Sequence, residues 1–465
     1  MLPPLGNFRA PAADLLIKTD RDSLLDDLLL PTLLFVAVGA MTWAVRGCSG
    51  FGASNGCLFA GVTWGTAWWF IARDPSRAQS RRYASGWVVL AMAAGFAIAG
   101  DRGWMQWPSF FNGRLQTNTP AGEFVAIPRT YGFVWLFIAG VPWAGLAACF
   151  LAWCGAGQSN RLQDWLLRVA CGLAGAGAAA LLFEQFPQLF LPLYAHLKPQ
   201  YADHLHNPNL ARLINDNRAA LIHLGAYLGF LGYELGRRDW LNVKLILTVG
   251  VLTGAGWAAW QNWSWAARVW PQVRFNWWRC WESCGGISIG IAYGLAYYLV
   301  NRRSAAAGVC SQAASPGPSH PNLERFVTYA ALLAALGLSL KNGFKGWANI
   351  YVGNEEHWNR VLWTFIGPAL LAGLAALAVL VWRRPVPPGS KQDLFPHSAR
   401  LTWLMLLIQN FIAQLITGPR TNFSEAAFSL YYLALFVISA LILRHYAHGK
   451  LEPGAPVETQ PALFG

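Results

Sequence analysis

Apolar residues run along this chain in stretches of about 20, separated by short charged or glycine-rich segments. They predict helical spans near 28–46, 56–72, 86–100, 131–153, 163–183, 219–236, 242–261, 281–300, 326–340, 361–382, 401–417 and 427–444. The stretches are continuous rather than alternating between apolar and polar positions, which favours helices over a membrane barrel. Two of them, 86–100 and 326–340, are short and are expected to extend into the glycine-rich text that follows. The pattern therefore predicts an all-α, polytopic membrane protein of about twelve transmembrane helices.

Composition strengthens that reading. Of the 465 residues, 55% are hydrophobic and only 12% charged, far less charge than soluble domains carry. The net charge of +13 reads as basic loops flanking helices, not as a nucleic-acid footprint, because no recognition motif accompanies it. No Cys-x-x-Cys or Cys/His ligand spacing suggests a metal, and no motif suggests a cofactor. Cys280 and Cys284 lie one helical turn apart near one span end, and Cys48 and Cys57 lie near the related end of the first half, so a disulfide there stays open.

Loop charge sets the sidedness. Arg73, Arg77, Arg81, Arg82, Arg161, Arg237, Arg238, Arg302, Arg303, Arg383 and Arg384 crowd the short loops, on the side where both chain ends fall. That side is expected to be cytoplasmic, with the chain in a bacterial inner membrane. The opposite side carries the long segments 101–130, 184–218, 262–280 and 341–360. No apolar signal-peptide core precedes Leu28, so 1–27 reads as a cytoplasmic tail, and 446–465 as another. The Ser/Pro/Ala-rich segment 301–324 reads as a flexible inner linker.

The text repeats itself. Gly61, Trp64, Gly65, Ala67, Trp68 and Trp69 match Gly290, Tyr293, Gly294, Ala296, Tyr297 and Tyr298 in register. Gly100, Arg102, Gly103 and Trp104 match Gly343, Lys345, Gly346 and Trp347. Ala144 to Ala148 match Ala372 to Ala376, with Trp135 and Trp363 in register. Three matches in chain order imply a duplication into two six-helix halves. The first is 28–240; the second begins with two helices in 241–300 and continues after the linker through 325–445. Six spans is an even number, so the halves are expected to be parallel repeats facing each other across a seam.

Twelve spans as six plus six, with an inner linker and both ends inside, resemble the major facilitator superfamily of transporters. The loop between the second and third spans adds to the resemblance. It carries Arg73, Asp74, Arg77, Arg81 and Arg82 where that superfamily places a charged run, with Phe70 at the position of the run's first glycine. The resemblance implies alternating access to a central site.

Candidate contacts gather at the outer ends of the spans. Arg46, Arg102, Glu184, Glu282 and Lys345 supply charge there, with Trp104 and Trp347 as ring platforms. Arg102 and Lys345 hold equivalent repeat positions, where a pair of cations would clamp a carboxylate or phosphate; lipid-headgroup anchoring is the plainer alternative. Asn410 and Gln414, one turn apart, form a polar stripe that either bonds a neighbouring helix or lines a wet cavity. Within the spans, Arg168 and Glu234 lie near inner ends, where they can snorkel, and His223 lies deeper. The 25 tryptophans suit an interfacial belt and, near polar groups, sugar-like rings. The reading is a secondary transporter for a polar, anionic or sugar-like solute, with lipid and solute as partners. Two alternatives are a membrane transferase acting on a lipid-linked substrate at the outer face, and a non-transporting subunit of a membrane complex.

Overall fold

A computed structural model describes residues 24–48, 53–72, 82–100, 106–117, 124–154, 161–273, 276–301, 320–384, 396–416 and 423–447. Within them, the side chains of 45–48, 53, 106, 267, 396–399, 410, 413–416 and 447 are not described. The described chain is helical apart from one short β-hairpin. The helices are α1 (Leu30–Cys48, entered through a π-helical turn at Leu25–Leu29), α2 (Ala53–Ala72), α3 (Trp87–Ala99) and α4 (Gln106–Phe111). After β1 (Arg114–Gln116) and β2 (Phe124–Ala126) come α5 (Thr130–Cys154), α6 (Leu162–Gln185), α7 (Tyr194–Ala202) and α8 (Pro208–Gly236). Then follow α9 (Trp240–Trp260), α10 (Trp263–Val269), α11 (Trp277–Asn301), α12 (Pro321–Tyr351), α13 (Glu355–Arg383), α14 (Pro396–Ile416) and α15 (Phe423–Ala447).

Every predicted span falls on one of these helices. Among the described residues, eight helices are long and apolar enough to cross a membrane, and α3 and Arg400–Gln409 are shorter apolar segments. The chain is thus an all-α polytopic membrane protein. The short span at 326–340 does extend, into the 31 residues of α12. The one at 86–100 does not, since α3 ends against Gly100.

Six helices close a ring. In order around it, α1 packs on α2, α2 on α3, α3 on α5, α5 on α9, α9 on α11, and α11 back on α1. Small residues set the close approaches. On α11, Gly286, Gly290 and Gly294 recur every four residues and so share one face. They meet Gly39, Val36 and Thr32 of α1 respectively, which makes the pair antiparallel. In lipid, association depends on such packing rather than on water expulsion. The ring takes four helices from the first predicted half and two from the second. The remaining helices pack around it: α6 and α8 as an antiparallel pair against α5, α12 with α13 and α14 against α2 and α3, and α15 against α1.

The ring is filled with aromatic side chains. Trp43, Trp64, Trp68, Trp143, Trp257, Tyr293 and Tyr297 are all fully or almost fully buried. Polar ends among them reach backbone carbonyls on other helices, as a dry interior requires. Trp64 Nε1 donates to Phe35 O at 3.0 Å, Tyr297 OH to Ile71 O at 3.1 Å, and Tyr293 OH to Ala144 O at 3.0 Å. Two of the ring contacts join repeat-equivalent residues: Trp64 with Tyr293 (centroids 6.4 Å apart) and Trp68 with Tyr297 (5.1 Å). The periphery differs sharply. The apolar window of α13 is 6% buried against 78% for α5, so α13 presents its side chains outward, as a lipid-facing helix does.

Contacts at the helix ends order the two faces. The start of α1 meets the end of α15, where Tyr446 OH donates to Asp26 O at 2.8 Å. At the same end, Asn301 Oδ1 accepts from Arg82 N, and Glu324 accepts from Gly86 N. The opposite end carries the longer connecting elements. There Trp107 stacks on Trp135 and donates to Asn217 Oδ1 at 2.8 Å, and Phe111 of α4 packs on Trp265 of α10.

Candidate functional site

The opposite end also holds a dense group of buried charge, at the start of α11. Helix α11 begins with Trp277, Trp278, Arg279, Cys280, Trp281, Glu282, Ser283 and Cys284. Arg279 is 3% exposed and Glu282 is 0% exposed. Glu282 lies one turn before Gly286 and so shares the face that packs on α1. Arg279 Nη1 forms an ion pair with Glu425 Oε2 on α15, and its guanidinium sits 5.5 Å from the centre of the Phe428 ring. Asn276 caps the Arg279 backbone N–H at 3.0 Å. One turn further, the Ser283 and Tyr431 hydroxyls hydrogen-bond at 3.0 Å. Two polar links therefore fasten a ring helix to a helix outside the ring. Indoles crowd the same end: Trp281 contacts Trp257 at 5.0 Å and Trp278 at 4.7 Å.

Beside this cluster, α9 and α10 shape an open groove of about 410 Å³ lined by Ala259, Trp260, Asn262, Trp263, Trp265, Ala266, Val269 and Trp270. Trp277 stacks on both Trp263 and Trp270. The lining offers ring faces and one amide but no acid, base or nucleophile, so it suits docking rather than chemistry.

The predicted site residues divide three ways. Glu282 belongs to the cluster just described. Glu184 does not: it is surface-exposed and paired with Arg218, tying α6 to α8. Lys345 and Trp347 sit elsewhere, on α12. Lys345 Nζ is held by Glu355 of α13 at 2.6 Å, so its charge is already met. Trp347 is partly exposed and lies against Tyr351. Arg102 and Trp104 lie outside the described residues, as do the side chains of Arg46, Asn410 and Gln414.

Arg168 and Glu234 do not snorkel. They pair across α6 and α8 at 2.7 Å, both at 0% side-chain exposure. His223 is half-buried on α8. Cys280 and Cys284 are free thiols, Cys57 is buried on α2, and the Cys48 side chain is not described. Among the described residues, no group of three or more His, Cys, Asp or Glu is arranged to hold a metal.

Sequence reasoning missed Glu425 and Tyr431. The available signal was an acid just before the last apolar stretch, at Glu425 in the first turn of α15. An ionisable residue there is costly without a partner. Comparison with protein-family models, with curated proteins and with solved structures finds no match.

Proposed function

We propose that this chain is a secondary carrier of a polar, carboxylate-bearing or sugar-like organic solute, with its site at the outer end of α11. In this reading twelve helices span a bacterial inner membrane as a duplicated, parallel six-plus-six arrangement. Both termini are cytoplasmic, and the likeness to the major facilitator superfamily is one of topology. One observation carries the reading: the Arg279–Glu425 ion pair joins a ring helix to a peripheral helix beside the fully buried Glu282. Buried charge in a membrane protein is expensive to keep and marks ligand or ion paths by default.

The chemistry follows from exchange. A solute carboxylate presents the same two oxygens to Arg279 that Glu425 presents. Binding it would release Glu425 and loosen α15 from α11. A ligand that prefers the loosened state shifts the equilibrium toward it. Glu282 would take the solute's donor groups, and the indoles around Trp281 its apolar face.

The test is a panel of free carboxylates and sugars, added to purified protein and followed by melting temperature. Hits then go to uptake into proteoliposomes. Glu282→Gln is expected to abolish uptake while the protein still inserts. Glu425→Gln removes the competing carboxylate and is expected to tighten binding of a carboxylate solute several-fold. Normal uptake in Glu282→Gln, or weaker binding in Glu425→Gln, removes the reading.

A further inference from the structure

One face of α11 looks away from the proposed solute site and onto the indole groove. Positions 277, 280, 284 and 288 fall at i, i+3, i+7 and i+11, and therefore on one side of the helix. Both ends of that side are fixed against α9 and α10. At one end Trp277 stacks on Trp263 at 5.7 Å and on Trp270 at 6.2 Å. At the other, Ser288 Oγ accepts from Trp260 Nε1 at 2.6 Å, and Ser288 closes on Gly256 of α9. Cys280 and Cys284 lie between these two anchors and so face the indole wall. Trp263 lies beside Cys284, and the two thiols are within electrostatic reach of each other. Both are free and only partly buried.

Spacing decides what such a pair can do. Residues one turn apart on a helix hold their Cβ atoms about 5–6 Å apart. A disulfide needs them at about 3.5–4.5 Å, so an intact α11 cannot close one. An ion between two sulfurs, with bonds of about 2.3 Å to each, spans a gap that suits the helical spacing. Zinc asks for three or four protein ligands. Among the described residues no group of three or more His, Cys, Asp or Glu is available to supply them. Soft monovalent ions are content with two sulfurs, and thiolates select Cu(I) over harder ions. Indole faces beside the thiols add attraction for a cation.

We propose that Cys280 and Cys284 form a two-sulfur site for one soft monovalent cation, Cu(I) or Ag(I), entered through the groove lined by Trp260, Trp263 and Trp270. The step balances without redox. Each thiol releases its proton to water as its metal–sulfur bond forms, and the ion keeps its oxidation state. Binding ties two successive turns of α11 together at the end that carries Arg279 and Glu282. The inference goes beyond the carrier reading and does not depend on it.

The test titrates the purified full chain with Ag(I), which needs no reductant, in chloride-free buffer. The readouts are the ultraviolet thiolate-to-metal band, indole fluorescence and released protons. A single tight equivalent is expected, with quenched fluorescence and one proton released per thiol. Cys280→Ser and Cys284→Ser should each lose it, while Cys171→Ser, which removes a partly buried thiol of α6, should keep it. If a serine variant does not fold, alkylating Cys280 and Cys284 in the native chain, with the modified positions read by mass spectrometry, should abolish the tight equivalent. Equal Ag(I) binding in wild type and in the chain lacking both thiols overturns the proposal, as does Zn(II) binding as tight as Ag(I) binding. A tight equivalent in a chain that takes up no solute supports the metal site and counts against the carrier reading alone.

Discussion

At the scale of single residues, the chain's buried charges were visible as text but not as pairs. Arg168 and Glu234 stand out in apolar stretches, yet they are 66 positions apart, and nothing local says that they meet. Arg279 and Glu425 are 146 positions apart. Removing one member of such a pair strands the other in a poor solvent for charge. Arg279→Ala is therefore expected to cost about 3–5 kcal/mol and to lower the melting temperature in detergent. The double change Arg279→Leu with Glu425→Leu should recover most of that loss. Equal melting temperatures for the single and double variants would show that no buried pair is broken. Lys345 gives the complementary lesson: the repeat flagged it as a candidate cation, and its engagement by Glu355 is a fact of the α12–α13 hairpin alone.

At the scale of elements, helix positions were legible because a long apolar run has few other options in lipid. What the runs do not announce is which faces touch. The glycines at 286, 290 and 294 signal a contact face by their spacing, but not that α1 is the partner. A side chain at Gly286 would overlap the Gly39 backbone, whereas a Cβ added at Gly177 on α6 would meet nothing within 4 Å. Gly286→Val is expected to destabilise by about 1–3 kcal/mol or more, as overpacking does. Gly177→Val should be close to neutral, apart from a small helix-propensity effect. Thermal unfolding of both variants in the same detergent checks the contrast, and equal losses would refute the α1–α11 contact.

At the scale of the whole molecule, the internal repeat suggested two bundles facing across a seam. The helices instead close a ring that draws on both predicted halves, with α12 to α15 outside it. Small residues explain this. They let α11 approach α1, and Gly254 of α9 packs close against Gly140 of α5. The repeated text leaves a trace inside the ring, where Trp64 meets Tyr293 and Trp68 meets Tyr297. Packing of α15 on the outside of α1 also brings the start of α1 to the end of α15. Cysteines introduced as Asp26→Cys and Tyr446→Cys, in a chain depleted of its other thiols, should cross-link efficiently in membranes with a short bifunctional reagent. Absence of cross-linking would separate the start of α1 from the end of α15.

The sequence by itself determined that this chain lives in a membrane and where its long apolar helices lie, because hydrocarbon leaves the backbone little choice over each apolar run. It also exposed the repeated aromatic text and the few ionisable residues lodged in apolar surroundings. Only the tertiary structure decided which helices are neighbours and which charges are partners. Those depend on contacts between residues far apart in the chain, where glycine permits approach and an acid meets a base across two helices. Local pattern carries no record of either.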